Sequence, residues 1–105
     1  MKLITKEIAK KLSPIGDSSA ENKPHLKLFN PAGSATWLIS EFDGEDLLFG
    51  LCDLGLGFPE IGYVSLSELK SIKLPSGLGI ERDLYWEPTK SLGEYADDAR
   101  AKGAI

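Results

Sequence analysis

Two turns too short to permit a crossover constrain this chain more than any other feature of its sequence. Asn30-Pro31-Ala32-Gly33 fits a type I turn, with asparagine at the first position, proline presetting φ at the second and glycine at the fourth. Asp43-Gly44 supplies the next turn. Extended, apolar-rich stretches flank them: Leu26 to Phe29, Ala35 to Phe42 and Leu47 to Leu54. Strands joined this tightly pair antiparallel, because parallel pairing needs a crossover of about a dozen residues or more. In the third stretch Leu47, Phe49 and Leu51 share one face and Leu48, Cys52 and Leu54 the other, so this strand is predicted to be central. Gly55-Leu56-Gly57-Phe58-Pro59 is a further turn, after which Glu60 to Val64 resumes the extended pattern and completes a four-strand meander.

Helices are expected at three places. Thr5 can cap a short helix through Leu12, with Ile8, Ala9 and Leu12 on one face, and Pro14 and Gly16 end it. Residues 13 to 24 then have loop composition and are expected to be the most mobile internal segment. Ser65-Leu66-Ser67-Glu68 has capping-box spacing and opens a second helix that turns Leu66, Leu69 and Ile72 inward, places Lys70 and Lys73 near its negative end and stops at Pro75. After a glycine-rich loop, Ile80 to Glu87 reads as a last strand ending at Pro88. Ser91-Leu92-Gly93-Glu94 repeats the capping-box spacing, and Leu92, Tyr95, Ala96 and Ala99 follow at helical spacing up to Gly103. The resulting expectation is an α+β fold: an antiparallel sheet of about five strands, with the N-terminal helix and the Ser67 to Lys73 helix on one face and a helix over 91–102.

A chain of 105 residues has room for one domain, taken as 1–105, with the helix at 91–102 as a possible extension. Its 42% apolar and 27% charged residues are ordinary for a globule. The longest apolar runs, such as Leu47 to Cys52, fall far short of the roughly 20 residues that cross a bilayer. No signal-peptide core follows Lys2, Lys6, Lys10 and Lys11, and the single cysteine permits no internal disulfide. These features together point to the cytoplasm.

Charge is unevenly distributed. Residues 28 to 69 contain no Lys or Arg, yet carry Glu41, Asp43, Glu45, Asp46, Asp53, Glu60 and Glu68, whereas the first turns of the chain are rich in lysine. An acid-only centre disfavours nucleic acid, whose phosphates need cations, and suits a basic protein partner.

Candidates for chemistry are few. His25 is the sole histidine, has no second ligand at metal spacing, and reads as a loop-edge residue. Cys52 lies in the most apolar stretch and is expected to be buried and inert. Gly55, Gly57 and Gly62 do not form a phosphate loop, since no G-x-G-x-x-G or G-K-[ST] accompanies them. No cofactor and no metal is therefore expected. Glu81 and Asp83, on one face of the last predicted strand, are close enough for acid–base work, although solvated charge paired with Arg82 is the simpler reading. Of the aromatics, Trp37 is assigned to the core, while Tyr85 and Trp86 should point to opposite faces.

Three blocks in order, Met1-Lys2-Leu3-Ile4-Thr5-Lys6-Glu7-Ile8, Glu60-Ile61-Gly62-Tyr63-Val64-Ser65-Leu66-Ser67-Glu68-Leu69 and Glu81-Arg82-Asp83-Leu84-Tyr85-Trp86-Glu87-Pro88, resemble a bacterial family of unknown function. Its members are small proteins often carried by plasmids, integrative elements and phages. That resemblance implies an accessory role on a mobile element and carries no catalytic residues with it.

The sequence thus favours a non-enzymatic interaction module, binding a basic protein of nucleic-acid metabolism or host defence through Asp43, Glu45, Asp46, Glu81, Arg82, Asp83, Tyr85 and Trp86. The alternatives are a small hydrolase or transferase using Glu81 and Asp83, and weak nucleic-acid binding through Lys2, Lys6, Lys10, Lys11 and Arg82. Oligomeric state is left open by the sequence.

Overall fold

A computed structural model describes residues 2–17 and 20–105. Met1 of the first block and Ser18 and Ser19 of the 13–24 loop lie outside the described residues. In chain order the elements are α1 (Lys6–Lys11), β1 (Leu26–Phe29), β2 (Thr36–Phe42), β3 (Leu47–Asp53), β4 (Glu60–Ser65), α2 (Leu66–Ser71), a 3-10 turn (Pro75–Gly77), β5 (Glu81–Arg82) and α3 (Leu92–Lys102). The strands form one antiparallel sheet in the order β4-β3-β2-β1-β5, so the meander from β1 to β4 keeps its sequence order, as the two short turns require. At the first turn the Gly33 N–H donates to the Asn30 carbonyl at 3.2 Å. The middle place belongs to β2, with β3 interior beside it.

Both sheet faces are covered. Leu26, Leu28, Trp37, Ile39 and Leu48 meet Leu3, Leu12, Leu66 and Leu69 from the N-terminal segment and α2 on one side. On the other, Leu38, Phe49 and Leu51 pack against Leu92, Ala96 and Ala99 of α3. The small alanines let α3 lie close to the sheet, and its first turn carries the full capping box, with Ser91 Oγ accepting the Glu94 N–H and the Glu94 carboxylate accepting the Ser91 N–H. Gly103 closes it in the left-handed conformation, at φ 81°. α1 starts as its sequence predicts, with Thr5 Oγ1 accepting the Ile8 N–H at 3.2 Å.

A β-bulge in β2 decides what each face of the sheet receives. The register with β3 shifts between Ile39 and Glu41, so Ile39 opposes Gly50 while Glu41 opposes Phe49. Without the extra residue Glu41 would share a face with Ile39; with it, Phe42 joins the α1 and α2 side and Glu41 moves to the α3 side. The close approach demands glycine opposite: a Cβ at Gly50 would sit 2.0 Å from the Leu38 carbonyl oxygen and 2.8 Å from Ile39 Cα.

One predicted strand is largely lost. Of Ile80 to Glu87 only Glu81–Arg82 pairs, against Phe29 and Leu28, and the Asp83 N–H makes one more bond to the Lys27 carbonyl at 3.0 Å. Beyond that point β1 offers only Leu26, since the strand begins there, two residues after the buried Pro24, which has no N–H to donate. Asp83 Oδ1 then accepts the Tyr85 N–H at 3.1 Å, turning the chain out of the sheet. The β-rich composition of Leu84-Tyr85-Trp86 suggested a strand that has no neighbour.

Candidate functional site

The predicted site residues fall in two separate places. Asp43, Glu45 and Asp46 occupy the β2–β3 turn, where two of the three acids have structural tasks. Asp43 Oδ1 accepts the N–H groups of Glu45, Asp46 and Leu47 at 2.8, 2.8 and 3.0 Å, and those bonds, from Glu45 first, hold its pKa below the usual carboxylate value. Asp46 accepts the Ser65 hydroxyl at 2.6 Å and the Ser67 N–H at 2.7 Å, which lower its pKa likewise and tie the turn to the start of α2. Both therefore remain charged at neutral pH, and Glu45 is exposed beside them.

Arg82, Asp83, Tyr85 and Trp86 instead line a cleft of about 480 Å³ at the β5 side, against Lys11 and His25. Lys27 Nζ lies 3.8 Å from the Asp83 carboxylate and 6.0 Å from the Trp86 ring centroid. Arg82 donates to the Lys2 carbonyl. Trp86 is half-buried on Tyr95 of α3, with ring centroids 5.8 Å apart, whereas Tyr85 is 94% exposed. Glu81 lies in β5 and outside this cleft, while Asp83, past the end of the strand, is engaged by Lys27 and the Tyr85 N–H. The strand face that was to hold both acids therefore ends before Asp83. Of the five cations named for nucleic-acid binding, Lys11 and Arg82 line the cleft, interleaved with Glu7, Asp83 and Glu87. Burial, then Lys11 and Lys23, pushes the His25 pKa below its ordinary value. Among the described residues no three of His, Cys, Asp and Glu come together as metal ligands would.

Two acids of the central stretch are inside the molecule. Glu41 is fully buried, with Oε1 accepting the Gly16 N–H at 3.1 Å and Oε2 without a partner. Asp53, also buried, accepts the Gly55 N–H at 2.8 Å and the Ile105 N–H at 2.9 Å. The acid surface of residues 28 to 69 thus comes from Asp43, Glu45, Asp46, Glu60 and Glu68.

Sequence reasoning treated the β3–β4 connection as a turn and missed its side chains. Leu54, Leu56 and Phe58 are 61, 72 and 79% exposed, and Tyr63 on β4 is 55% exposed. Gly55 and Gly57 adopt φ of 82° and 87°, so the loop is shaped by its glycines while its apolar side chains face solvent. A signal was available: large apolar residues alternating with glycines in a turn have no strand or helix face to carry them inward. Next to this hairpin a groove of about 380 Å³ runs between β4 and α2, lined by Trp37, Cys52, Val64, Leu69 and Ile72 with Glu68 at its rim. Cys52 is half-buried there, and burial pushes its thiol up to about 11.

A family model described as "Protein of unknown function (DUF2958)" matches residues 3–105. The chain belongs to that family. The DUF2958 match runs from the segment before α1 through α3, so it takes in both the β5 cleft and the β3–β4 hairpin. No curated protein and no solved structure matches the chain. DUF2958 membership brings no activity with it, and the functional reading rests on these surfaces.

Proposed function

We propose that this DUF2958 protein is a non-enzymatic protein–protein interaction module that binds a basic protein. One observation carries the reading: four large apolar side chains, Leu54, Leu56, Phe58 and Tyr63, are exposed together on a hairpin within a stretch that has acids and no cation. Exposed apolar side chains of this size are the usual anchors of a docking face and control dissociation, while the charge around them, here Glu60 and Glu68 with Arg100 beside Phe58, steers association. The resemblance of the three sequence blocks supports an accessory role on a mobile element, and we take the target, from the charge pattern, to be a basic protein of nucleic-acid metabolism or host defence in the cytoplasm.

The test begins with affinity capture from the native host and continues with the purified partner. Leu56→Ser with Phe58→Ser is expected to weaken binding by about tenfold or more, mainly through faster dissociation. Glu45→Gln, Glu60→Gln and Glu68→Gln together should slow association and flatten its salt dependence, while sparing the internal bonds of Asp43 and Asp46. If neither set changes the kinetics, the reading is wrong.

A further inference from the structure

The sheet ends on one side in β4, whose outer edge has no strand beside it among the described residues. An antiparallel strand directs the N–H and C=O of alternate residues to one side, so a bare edge presents a row of unpaired groups. Natural edges are blunted by brevity, by lysine, by proline or by a bulge. β4 has none of these: it is six residues long, its register with β3 is unbroken, its stretch has no Lys or Arg, and its nearest proline, Pro59, precedes it. Retaining so open an edge calls for a use.

We infer that β4 receives an extended segment of the basic partner as a sixth, antiparallel or parallel, strand. This rests on the proposed function for the partner's charge and goes beyond it in naming how the partner is held. Acids stand at both ends of the edge: Glu60 is the first residue of β4, and the last, Ser65, donates to the carboxylate of Asp46. Glu68 lies at the rim of the groove between β4 and α2. Two of the described cations border the edge: Arg100, which lines a pocket with Phe58 and Glu60 and lies 3.8 Å from Asp97, and Lys70 of α2, whose charge acts on Asp46. A segment alternating aliphatic and basic residues suits this edge: Glu60 opposes Cys52 and shares the groove's face with Glu68, so the basic set lies over that face while the aliphatic set meets Ile61 and Tyr63 on the other. A second copy of the chain is a poorer occupant. Antiparallel β4–β4 pairing would bring the first residue of one strand to the last of the other, setting Glu60 against the Asp46 end, acid against acid.

The 105-residue chain is titrated with an acetylated, amidated peptide of nine residues, alternating valine and lysine. Saturable binding is expected, with amide shifts centred on Ile61 to Val64 and slowed alkylation of Cys52, which lines the groove. N-methylation of one alternate set of peptide residues should weaken binding about tenfold through lost backbone bonds, and of the other set much less. Gly62→Lys should abolish binding and Gly62→Val should keep it, since a Cβ at Gly62 meets nothing within 4 Å and the fold is undisturbed. The inference is overturned if both N-methylated peptides bind alike, if the shifts fall on the β5 cleft, if Gly62→Lys binds normally, or if sedimentation shows β4-dependent dimers without peptide. Failure here with partner binding still lost in the Leu56 and Phe58 variant leaves the proposed function standing. Strand addition by the peptide with partner binding untouched by that variant removes the proposed function and keeps the edge.

Discussion

β5 contributes two residues to its edge of the sheet, and β4 contributes six to the other. At the β5 edge the chain pairs briefly, turns out at Asp83 and lays Trp86 against Tyr95, with Lys27 reaching both Asp83 and Trp86. At the β4 edge the backbone stays extended to Ser65 and the neighbouring apolar side chains remain in solvent. One sheet therefore has an edge closed by its own following segment and an edge left open. The lesson is that composition does not separate the two: Leu84-Tyr85-Trp86 and Ile61-Gly62-Tyr63-Val64 are both rich in strand formers, and the presence of a neighbour to pair with decides which one becomes a strand.

The largest expected effect lies between the edges. Gly50→Val would force a side chain into the Leu38 and Ile39 backbone at the bulge, and should cost about 3 kcal/mol or more, seen as loss of a cooperative unfolding transition at ordinary temperatures. A folded, cooperative Gly50→Val protein would show that the β2–β3 register is not fixed by that contact.

Next comes a direct contrast of the two edges. Trp86→Ala removes a half-buried ring that packs on α3 and should cost about 1 to 2 kcal/mol in denaturant unfolding. Phe58→Ala, at 79% exposure, should change stability by less than about 0.5 kcal/mol. Equal costs would mean that the β3–β4 hairpin is structural and its exposed residues are not held for a partner.

The smallest effect is in the pH dependence. Asp43 and Asp46 have folded pKa values below their unfolded ones, so their contribution to stability is present above the unfolded value near 4 and is lost as pH falls through the folded values. His25, lowered mainly by burial, favours its neutral form, so stability also begins to fall as pH drops below about 6.5. Asp43→Asn with Asp46→Asn should flatten the acid limb below about pH 4, and His25→Gln the shallow limb above it, both read from thermal midpoints against pH. If the acid limb is unchanged in the double variant, the turn does not stabilise the start of α2 as its hydrogen bonds suggest.

Local signals in the sequence were legible wherever the chain bonds to itself over a few residues. Thr5, Ser91 and Gly103 mark helix ends, and Asn30 and Asp43 mark turns, because each acts through a bond or a φ angle within its own neighbourhood. What escaped depends on distant partners. The bulge between Ile39 and Glu41 arises from the pairing of β2 with β3, the burial of Glu41 and Asp53 from Gly16 and Ile105, and the early end of β5 from the start of β1. The candidate site shared that division: its residue types were readable, but the sequence could not tell that Asp46 faces the β4 end while Arg82 and Tyr85 lie beyond β1. The exposed hairpin was missed because a turn was read for its glycines and not for the leucines and phenylalanine between them.

The bond from the Ile105 N–H to Asp53 has a bearing on the protein's lifetime in a cell. Asp53 ends β3, so a residue past α3 completes the solvation of a carboxylate at the base of the hairpin. Release of the segment after α3 from this contact would remove the donor and leave that oxygen short of a bond. One lost bond would then loosen α3 and the hairpin together, giving proteases a foothold at the end of the sheet where the apolar side chains already stand in water.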